Sequence, residues 1–170
     1  MRNSKMKGFT LIELIVVIAI IGVLAAILVP SMIGYVGDSK LSTANSNAKL
    51  VYTNTATYAT KCEVAGFPMK SANGVSNVPL NTSGVSSLPS AVKAPTTSAS
   101  VKLSEALQIL MGSKSASAGF ATSVLTNAGT PERTAWGKSL SDSYIGGYPT
   151  EATAKTSETG GIKLSDATVQ

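Results

Sequence analysis

Histidine is absent from this chain of 170 residues, and cysteine occurs only once, as Cys62. Without histidine, Ser-His-Asp and Cys-His catalysis are excluded, and so are zinc sites built from cysteine and histidine. A single cysteine excludes an intrachain disulfide. Scattered acids such as Glu132 and Asp142 leave calcium open as a ligand, but they form no calcium-binding motif. We therefore predict a protein without catalytic residues, cofactor or metal site.

Aromatic residues are also scarce, at 5% of the chain, and charged residues make up 14%. Against this background stands one apolar run, residues 9–30, which follows a basic segment, residues 1–8. At about 1.5 Å per residue, a helix of this length crosses a hydrocarbon core of about 30 Å. The run contains one charged side chain, Glu13, and a carboxylate within a membrane is costly unless a partner neutralises it.

Three interpretations of this N-terminal segment compete. A secretory signal peptide requires a small-residue cleavage site after the run, where the chain instead has Val29-Pro30-Ser31-Met32. A plain anchor would keep its N-terminus in the cytoplasm, because the positive charges precede the run. In the third interpretation the chain is cut before the run, which is retained. Removing the three basic residues of the leader lowers the net charge from +5 to +2, which indicates a topology signal and no nucleic-acid partner.

The residues around the start of the run favour the third interpretation. Gly8 is followed by Phe9, and Glu13 stands at the fifth position of the chain that begins at Phe9. This stretch resembles the processing site of type IV prepilins, and the resemblance covers about residues 1–35. It implies cleavage between Gly8 and Phe9, methylation of the Phe9 amine, and pairing of that amine with Glu13 of a neighbouring subunit. The partners it implies are identical subunits, a prepilin peptidase and methylase, an assembly ATPase and a platform protein.

The predicted fold class is α+β, with a long bent N-terminal helix packed on a small antiparallel sheet, the ladle shape that the resemblance implies. We predict a cleaved leader over 1–8, a helix over 9–61 with its transmembrane and filament-core part at 9–32, and a globular head over 62–170. The rear of the helix has one continuous face at helical spacing, which favours packing on a sheet over a coiled coil. That face consists of Leu41, Ala44, Ala48, Val51, Thr55, Tyr58 and Cys62.

Four residues predict a kink or a melted region in the helix: Gly22, Pro30, Gly34 and Gly37. Proline lacks a backbone donor, and glycine lowers helix propensity. The resemblance implies that such a region melts inside the filament. Many pilins that this chain resembles close their C-terminal region with a disulfide, which a single cysteine cannot form. In addition, Leu50 stands where Gram-negative pilins often have a second proline. Both differences indicate a Gram-positive or divergent pilin.

In the head, the segment 71–100 is rich in serine, asparagine, glycine and proline and predicts a surface loop. The segment 150–159 predicts a mobile loop. An amphipathic helix is predicted over 101–111, ended by Gly112. An antiparallel meander of three or four strands is predicted to follow, at 120–125, 133–138, 144–148 and 162–164.

Several head residues have two interpretations. Cys62 is predicted to be a small core residue, with a reactive thiol as the alternative. Trp136, Tyr144 and Tyr148 are predicted to form the core of the sheet, and the alternative is that their rings stack on a surface polysaccharide. Asn81 begins a glycosylation sequon, which at most marks an exposed loop.

The resemblance implies a structural function. The chain is predicted to be a subunit that starts in the cytoplasmic (inner) membrane and polymerises into a type IV pilus on the cell surface. Two alternatives remain open. One is a minor pilin or a pseudopilin of a type II secretion or DNA-uptake system. The other is a membrane-anchored carbohydrate-binding adhesin.

Overall fold

A computed structural model of the chain describes residues 9–80, 99–112, 118–158 and 161–164. Within these residues the chain folds into one long helix, one shorter helix and a four-stranded antiparallel sheet, which confirms the predicted α+β class. The chain divides into two units, of which the first ends at Asp38 and the second begins at Ser39. The sequon at Asn81 lies outside the described residues.

Helix α1 spans Leu11–Val64, so it ends three residues beyond the predicted limit at 61. Its C-terminus is closed by Gly66, which has a φ of +82° and therefore suits glycine. The Gly66 amide donates to the carbonyl of Glu63, and the Phe67 amide donates to the carbonyl of Cys62, both at 2.9 Å. This pair of bonds is a Schellman motif, and it satisfies carbonyls that the helix end would otherwise leave open.

The rear part of α1, residues 39–64, is rich in threonine and yet stays helical. Its threonine hydroxyls donate to the carbonyl four residues earlier, which gives each a partner within the helix. Thr55 is fully buried and is satisfied in this way, at 2.8 Å from the carbonyl of Val51. The predicted buried face is confirmed for Ala44, Ala48, Val51, Thr55, Tyr58 and Cys62, and Leu41 is partly buried.

The sheet has the strand order β1-β2-β3-β4 and only antiparallel pairs. Its strands are β1 (Val75–Pro79), β2 (Phe120–Leu125), β3 (Pro131–Gly137) and β4 (Gly146–Tyr148). Helix α2 spans Ala99–Gly112 between β1 and β2, which confirms the predicted helix at 101–111. A short 3-10 turn at Ser71–Asn73 precedes β1.

The prediction of a loop over 71–100 was wrong at β1; the part of that segment at 81–98 lies outside the described residues. The strand was missed because a bulge interrupts it. The register shifts between Val75 and Val78, both of which are buried, and Asn77 between them has a φ of +54°. The extra residue places two valines three positions apart on the same face, where an unbroken strand would need a spacing of two.

The prediction of a strand at 162–164 was also wrong. Ile162 and Leu164 are buried, but the segment is joined to β2 by a side chain, since the Thr122 hydroxyl donates to the Leu164 carbonyl at 2.7 Å. Apolar residues in alternate positions therefore pack on the sheet here without entering its ladder. The strands predicted at 133–138 and 144–148 exist, but the first begins two residues earlier and the second two residues later than predicted.

Two buried clusters surround the sheet. The first joins the rear of α1 to α2, β1, β2 and Trp136, and it contains Cys62 at 2% exposure, so Cys62 is a core residue as predicted. The second lies around Ala135, whose side chain points to the opposite face from that of Trp136. Its members are Ala135, Ile145, Ala152, Ile162 and Leu164, with Leu41 and Phe120 packed against them.

Asn45 joins the rear of α1 to the chain that follows β4. Its Oδ1 accepts from the amides of Gly147, at 3.0 Å, and Ala152, at 3.1 Å. Its Nδ2 donates to the Ala152 carbonyl at 2.9 Å. The segment predicted to be a mobile loop at 150–159 is therefore anchored at Ala152, which is also buried. We call these three bonds the Asn45 clamp.

Candidate assembly site at the N-terminus

Helix α1 begins with a reciprocal pair of hydrogen bonds between Thr10 and Glu13. The Thr10 amide donates to Oε2 of Glu13 at 2.8 Å, and the Thr10 hydroxyl donates to the same oxygen at 2.6 Å. In return the Glu13 amide donates to the Thr10 hydroxyl oxygen at 3.4 Å. This arrangement is a capping box, in which side chains satisfy the amides that the first helical turn leaves open.

Glu13 was predicted to pair with a neighbouring subunit, and the part of Thr10 at the helix start was not predicted. A threonine followed three residues later by a glutamate, ahead of an apolar run, was a sufficient signal for the box. The box also shows that the carboxylate has a local function. Within a single chain, it interacts favourably with the positive end of the helix dipole and fixes the first turn.

The two oxygens of Glu13 differ in their partners. All the bonds from Thr10 reach Oε2, and no described residue donates to Oε1. Phe9 stands directly before the box and is 84% exposed. Gly8 lies outside the described residues. The arrangement therefore presents an acceptor at the start of the helix that can receive a further donor, such as a backbone amine.

Every residue from 9 to 36 is exposed, although most of these side chains are large and apolar. Among the described residues, α1 has one stretch that is long and apolar enough to cross a membrane, and none of that stretch is buried by the chain itself. Exposed apolar surface of this extent indicates a membrane or partner helices as its surroundings.

Helix α1 is continuous through Gly22, Pro30, Gly34 and Gly37. A Cβ added at Gly22 or Gly34 would meet nothing within 4 Å, so packing within this chain does not require glycine at either position. Pro30 supplies no amide for the carbonyl of Ala26. Melting at these positions stays a prediction.

Of the three aromatic residues predicted to form the core, Trp136 lies in the first buried cluster and Tyr148 packs against that cluster, while Tyr144 is half-buried. Trp136 is 5% exposed and belongs to the core, as predicted. Tyr144 and Tyr148 are only half-buried, and each has a lysine ammonium of α1 near its ring, Lys40 at 5.6 Å and Lys49 at 5.7 Å from the centroid. Among the described residues, no three His, Cys, Asp or Glu side chains come together in a way that could hold a metal ion.

Comparison with known proteins places the similarity at the N-terminus. The family model described as the prokaryotic N-terminal methylation motif matches residues 3–29. The type IV major pilin protein PilA of Myxococcus xanthus is 53% identical over 51 residues, which are 30% of this chain and 23% of that protein. The fimbrial protein EcpC of Eikenella corrodens is 57% identical over 44 residues, 26% of this chain and 29% of that protein.

A third relative, the type IV major pilin protein PilE1 of Neisseria gonorrhoeae, is 50% identical over 42 residues, 25% of this chain and 26% of that protein. The chain thus spans about a quarter of the length of these curated relatives. No solved structure gives a significant match. The resemblance of the N-terminal segment to type IV pilins is confirmed, since residues 3–29 carry the prokaryotic N-terminal methylation motif and these relatives are named type IV pilins, whereas the processing and assembly roles of Gly8, Phe9 and Glu13 stay predictions.

Proposed function

We propose that this chain is a structural subunit of a type IV pilus. It is inserted in the cytoplasmic membrane as a precursor, is cut between Gly8 and Phe9, and is methylated on the new Phe9 amine. It then polymerises with identical subunits into a surface filament. The observation that carries the proposal is the largely apolar segment 9–36, every residue of which is exposed and which contains, near its start, the Glu13 carboxylate with an available acceptor oxygen.

The charge at the helix start supports this role. Cleavage would place a positive amine on Phe9, four residues before Glu13. In a low-dielectric surrounding an unpaired carboxylate and an unpaired amine are each costly, and pairing them removes much of that cost. Because Oε2 is engaged by Thr10, the amine of a neighbouring subunit would pair through Oε1. This pairing of the amine of one subunit with Glu13 of the next would then set the axial position of each subunit along the filament.

The glycines of α1 support the same role. Gly22 and Gly34 lie in a part of the helix that the chain leaves uncovered, and neither is needed for packing inside the chain. Small residues let helix backbones approach closely in a bundle, and they also ease local melting of a helix. Processing by a prepilin peptidase and methylase, and assembly by an ATPase with its platform protein, complete the proposal.

Replacing Glu13 tests the proposal. We expect Glu13→Ala to abolish filaments while the protein remains in the membrane fraction, because the apolar segment is unchanged. The measurement is the amount of this protein in sheared surface filaments and in membranes, by quantitative immunoblot. Glu63→Ala is the matched control, because Glu63 is an exposed acid near the other end of the same helix. Normal filaments from Glu13→Ala would refute the assembly role of this carboxylate.

Intact-mass analysis of protein from filaments tests the processing steps separately. We expect a chain that begins at Phe9 and carries one added methyl group. A chain that keeps residues 1–8, or one that has lost the apolar segment, would contradict the proposal. The yield of sheared filaments also separates a major subunit from a minor pilin or pseudopilin, because a major subunit dominates the filament.

A further inference from the structure

A cleft of about 370 Å³ opens on the second unit, beside the start of its part of α1. Its walls come from α1, from the end of β3 and from the loop that joins β3 to β4. Two lysines line it, Lys40 on α1 and Lys138 directly after β3. We call it the lysine cleft. Its volume lies in the range of pockets that hold small ligands.

No acid among the described residues forms an ion pair with Lys40 or Lys138. In the part of the chain that the structure describes, the ion pairs within 4.0 Å are Arg133–Glu132 and Lys155–Glu158, and neither involves Lys40 or Lys138. The Lys40 ammonium lies 5.6 Å from the centroid of the Tyr144 ring. A ring attracts a cation without cancelling its charge, so Tyr144 holds Lys40 at the cleft while the ammonium keeps its donors for a ligand.

Asp142 also lines the cleft, but its carboxylate is engaged by the loop. Its Oδ2 accepts from the amide of Lys138 at 3.0 Å, and its Oδ1 accepts from the amide of Tyr144 at 3.1 Å. These bonds fix the loop that presents Lys138 and Tyr144. The cleft therefore combines two cations and one anion, so it attracts one acidic group but not a dense run of negative charges.

We propose that the lysine cleft binds a saccharide that carries a carboxylate, such as a uronic acid residue. The carboxylate is held by the ammonium groups of Lys40 and Lys138, as charge-assisted hydrogen bonds favour. Thr43 and Asp142 lie in the same walls. The Thr43 hydroxyl donates to the Ser39 carbonyl and the Asp142 oxygens accept from two amides, so each can offer a remaining lone pair to a sugar hydroxyl, and Trp136 adds apolar surface. Nucleic-acid binding depends on neutralising many phosphates, for which two lysines beside an aspartate are too few.

Binding is measured on the full chain in neutral detergent micelles, with a fluorescent oligomer of galacturonic acid as the probe. We expect Lys40→Gln and Lys138→Gln each to raise the dissociation constant about tenfold, because each removes one charge-assisted contact. Lys61→Gln is the control, since Lys61 is an exposed lysine on the same helix outside the cleft. We expect it to bind as the unchanged protein does.

Tyr144 gives a second pair of variants. Tyr144→Phe keeps the ring beside Lys40 and is expected to keep affinity, whereas Tyr144→Leu removes the ring and is expected to weaken binding. Loss of affinity in the two lysine variants, with the control unchanged, supports the proposal. The cleft lies entirely in the second unit, so this test does not depend on filament formation.

Further probes separate the proposed ligand from other anions. Neutral dextran, duplex DNA and phosphatidylserine vesicles are measured under the same salt conditions. The proposal is overturned if the galacturonic acid oligomer does not bind, or if Lys61→Gln weakens its binding as much as the cleft variants do. Binding of dextran, DNA or vesicles that equals or exceeds binding of the acidic oligomer overturns it as well.

Discussion

The front part of α1, residues 11–38, and its rear part, residues 39–64, belong to one helix but differ in composition and in burial. The front is made largely of leucine, isoleucine and valine and leaves these side chains exposed. The rear is made largely of alanine, threonine and asparagine, and it contributes eight buried residues. In this helix the more apolar part is the one that the chain does not cover.

The reason is that burial within the second unit depends on close backbone approach. A Cβ added at Gly146 would overlap the backbone of Ala44 and Asn45, so strand β4 and the rear of α1 touch through their main chains. Only small residues permit this contact. The front has large branched side chains all round, which suit a lipid environment or a bundle of similar helices. The rear is therefore matched to its own chain, and the front to surroundings outside it.

The largest effect is expected from a substitution at the close contact between Gly146 and the backbone of α1. We expect Gly146→Ala to lower the free energy of unfolding of the second unit by about 3 kcal/mol, because the added methyl group must displace helix backbone. The measurement is urea unfolding in micelles, followed by the fluorescence of Trp136, the only tryptophan. Gly22→Ala is the control in the front part, and it should leave this transition unchanged. Equal stability of Gly146→Ala and the unchanged protein would show that the contact is not close.

A smaller effect is expected at the Asn45 clamp. Asn45→Ala removes three hydrogen bonds and leaves two amides and a carbonyl without that partner, at a cost of about 2 kcal/mol by the same Trp136 transition. Asn54→Ala provides the comparison, since Asn54 is a half-buried asparagine on the same helix. Should both variants unfold alike, the clamp would have no special part in stability.

In the front part, Thr10→Val tests the capping box. We expect the first helical turn to lose about 1 kcal/mol of stability, because the Glu13 amide loses its side-chain acceptor and the Glu13 carboxylate loses the hydroxyl donor. Amide hydrogen exchange at Glu13, whose amide donates to the Thr10 hydroxyl oxygen, measures this in micelles, and the Trp136 transition should not move. Thr10→Ser keeps the hydroxyl and should restore protection. Unchanged exchange in Thr10→Val would mean that the box does not hold the helix start.

The smallest effect concerns the rear part at alkaline pH. Burial, with a lesser contribution from Cys62, raises the pKa of Tyr58 from 10.0 to about 12. Because the pKa is higher in the folded than in the unfolded state, the resulting stabilisation is complete below pH 10 and is lost as the pH rises to about 12. Urea midpoints should fall more steeply over this range for the unchanged protein than for Tyr58→Phe. Parallel curves would contradict the shift.

The sequence was informative wherever periodicity alone decides structure. The spacing from Ala44 to Cys62 predicted the buried face of α1, and residues 120–125 predicted β2 with its bounds. The same periodicity was misleading where tertiary contacts determine whether a segment forms a strand. The bulge at Asn77 hides β1, and Ile162 and Leu164 alternate like strand residues but pack on the sheet through side chains. No pattern in the sequence reveals either arrangement.

The same division holds for the sites. Gly8, Phe9 and Glu13 are close in sequence, so the N-terminal motif was recognisable without a structure. The lysine cleft unites Lys40 and Lys138, nearly a hundred positions apart, and only the packing of β3 beside α1 brings them to one place. The Asn45 clamp has the same character, because its three bonds depend on where β4 and the chain after it pass α1.

The Asn45 clamp has a consequence for how copies of this protein can associate. Strands β4 and β1 are the two edge strands of the sheet. In β4 the amide of Gly147 donates to Asn45, and β1 contains Pro79, which has no amide hydrogen to donate. The exposed edge strands of a sheet can pair with strands of other molecules, which leads to aggregation. Copies of the proposed pilus subunit would gather at high density in a membrane and meet that hazard. An engaged amide at one edge and a proline at the other would reduce it, which favours the helix as the route to ordered assembly.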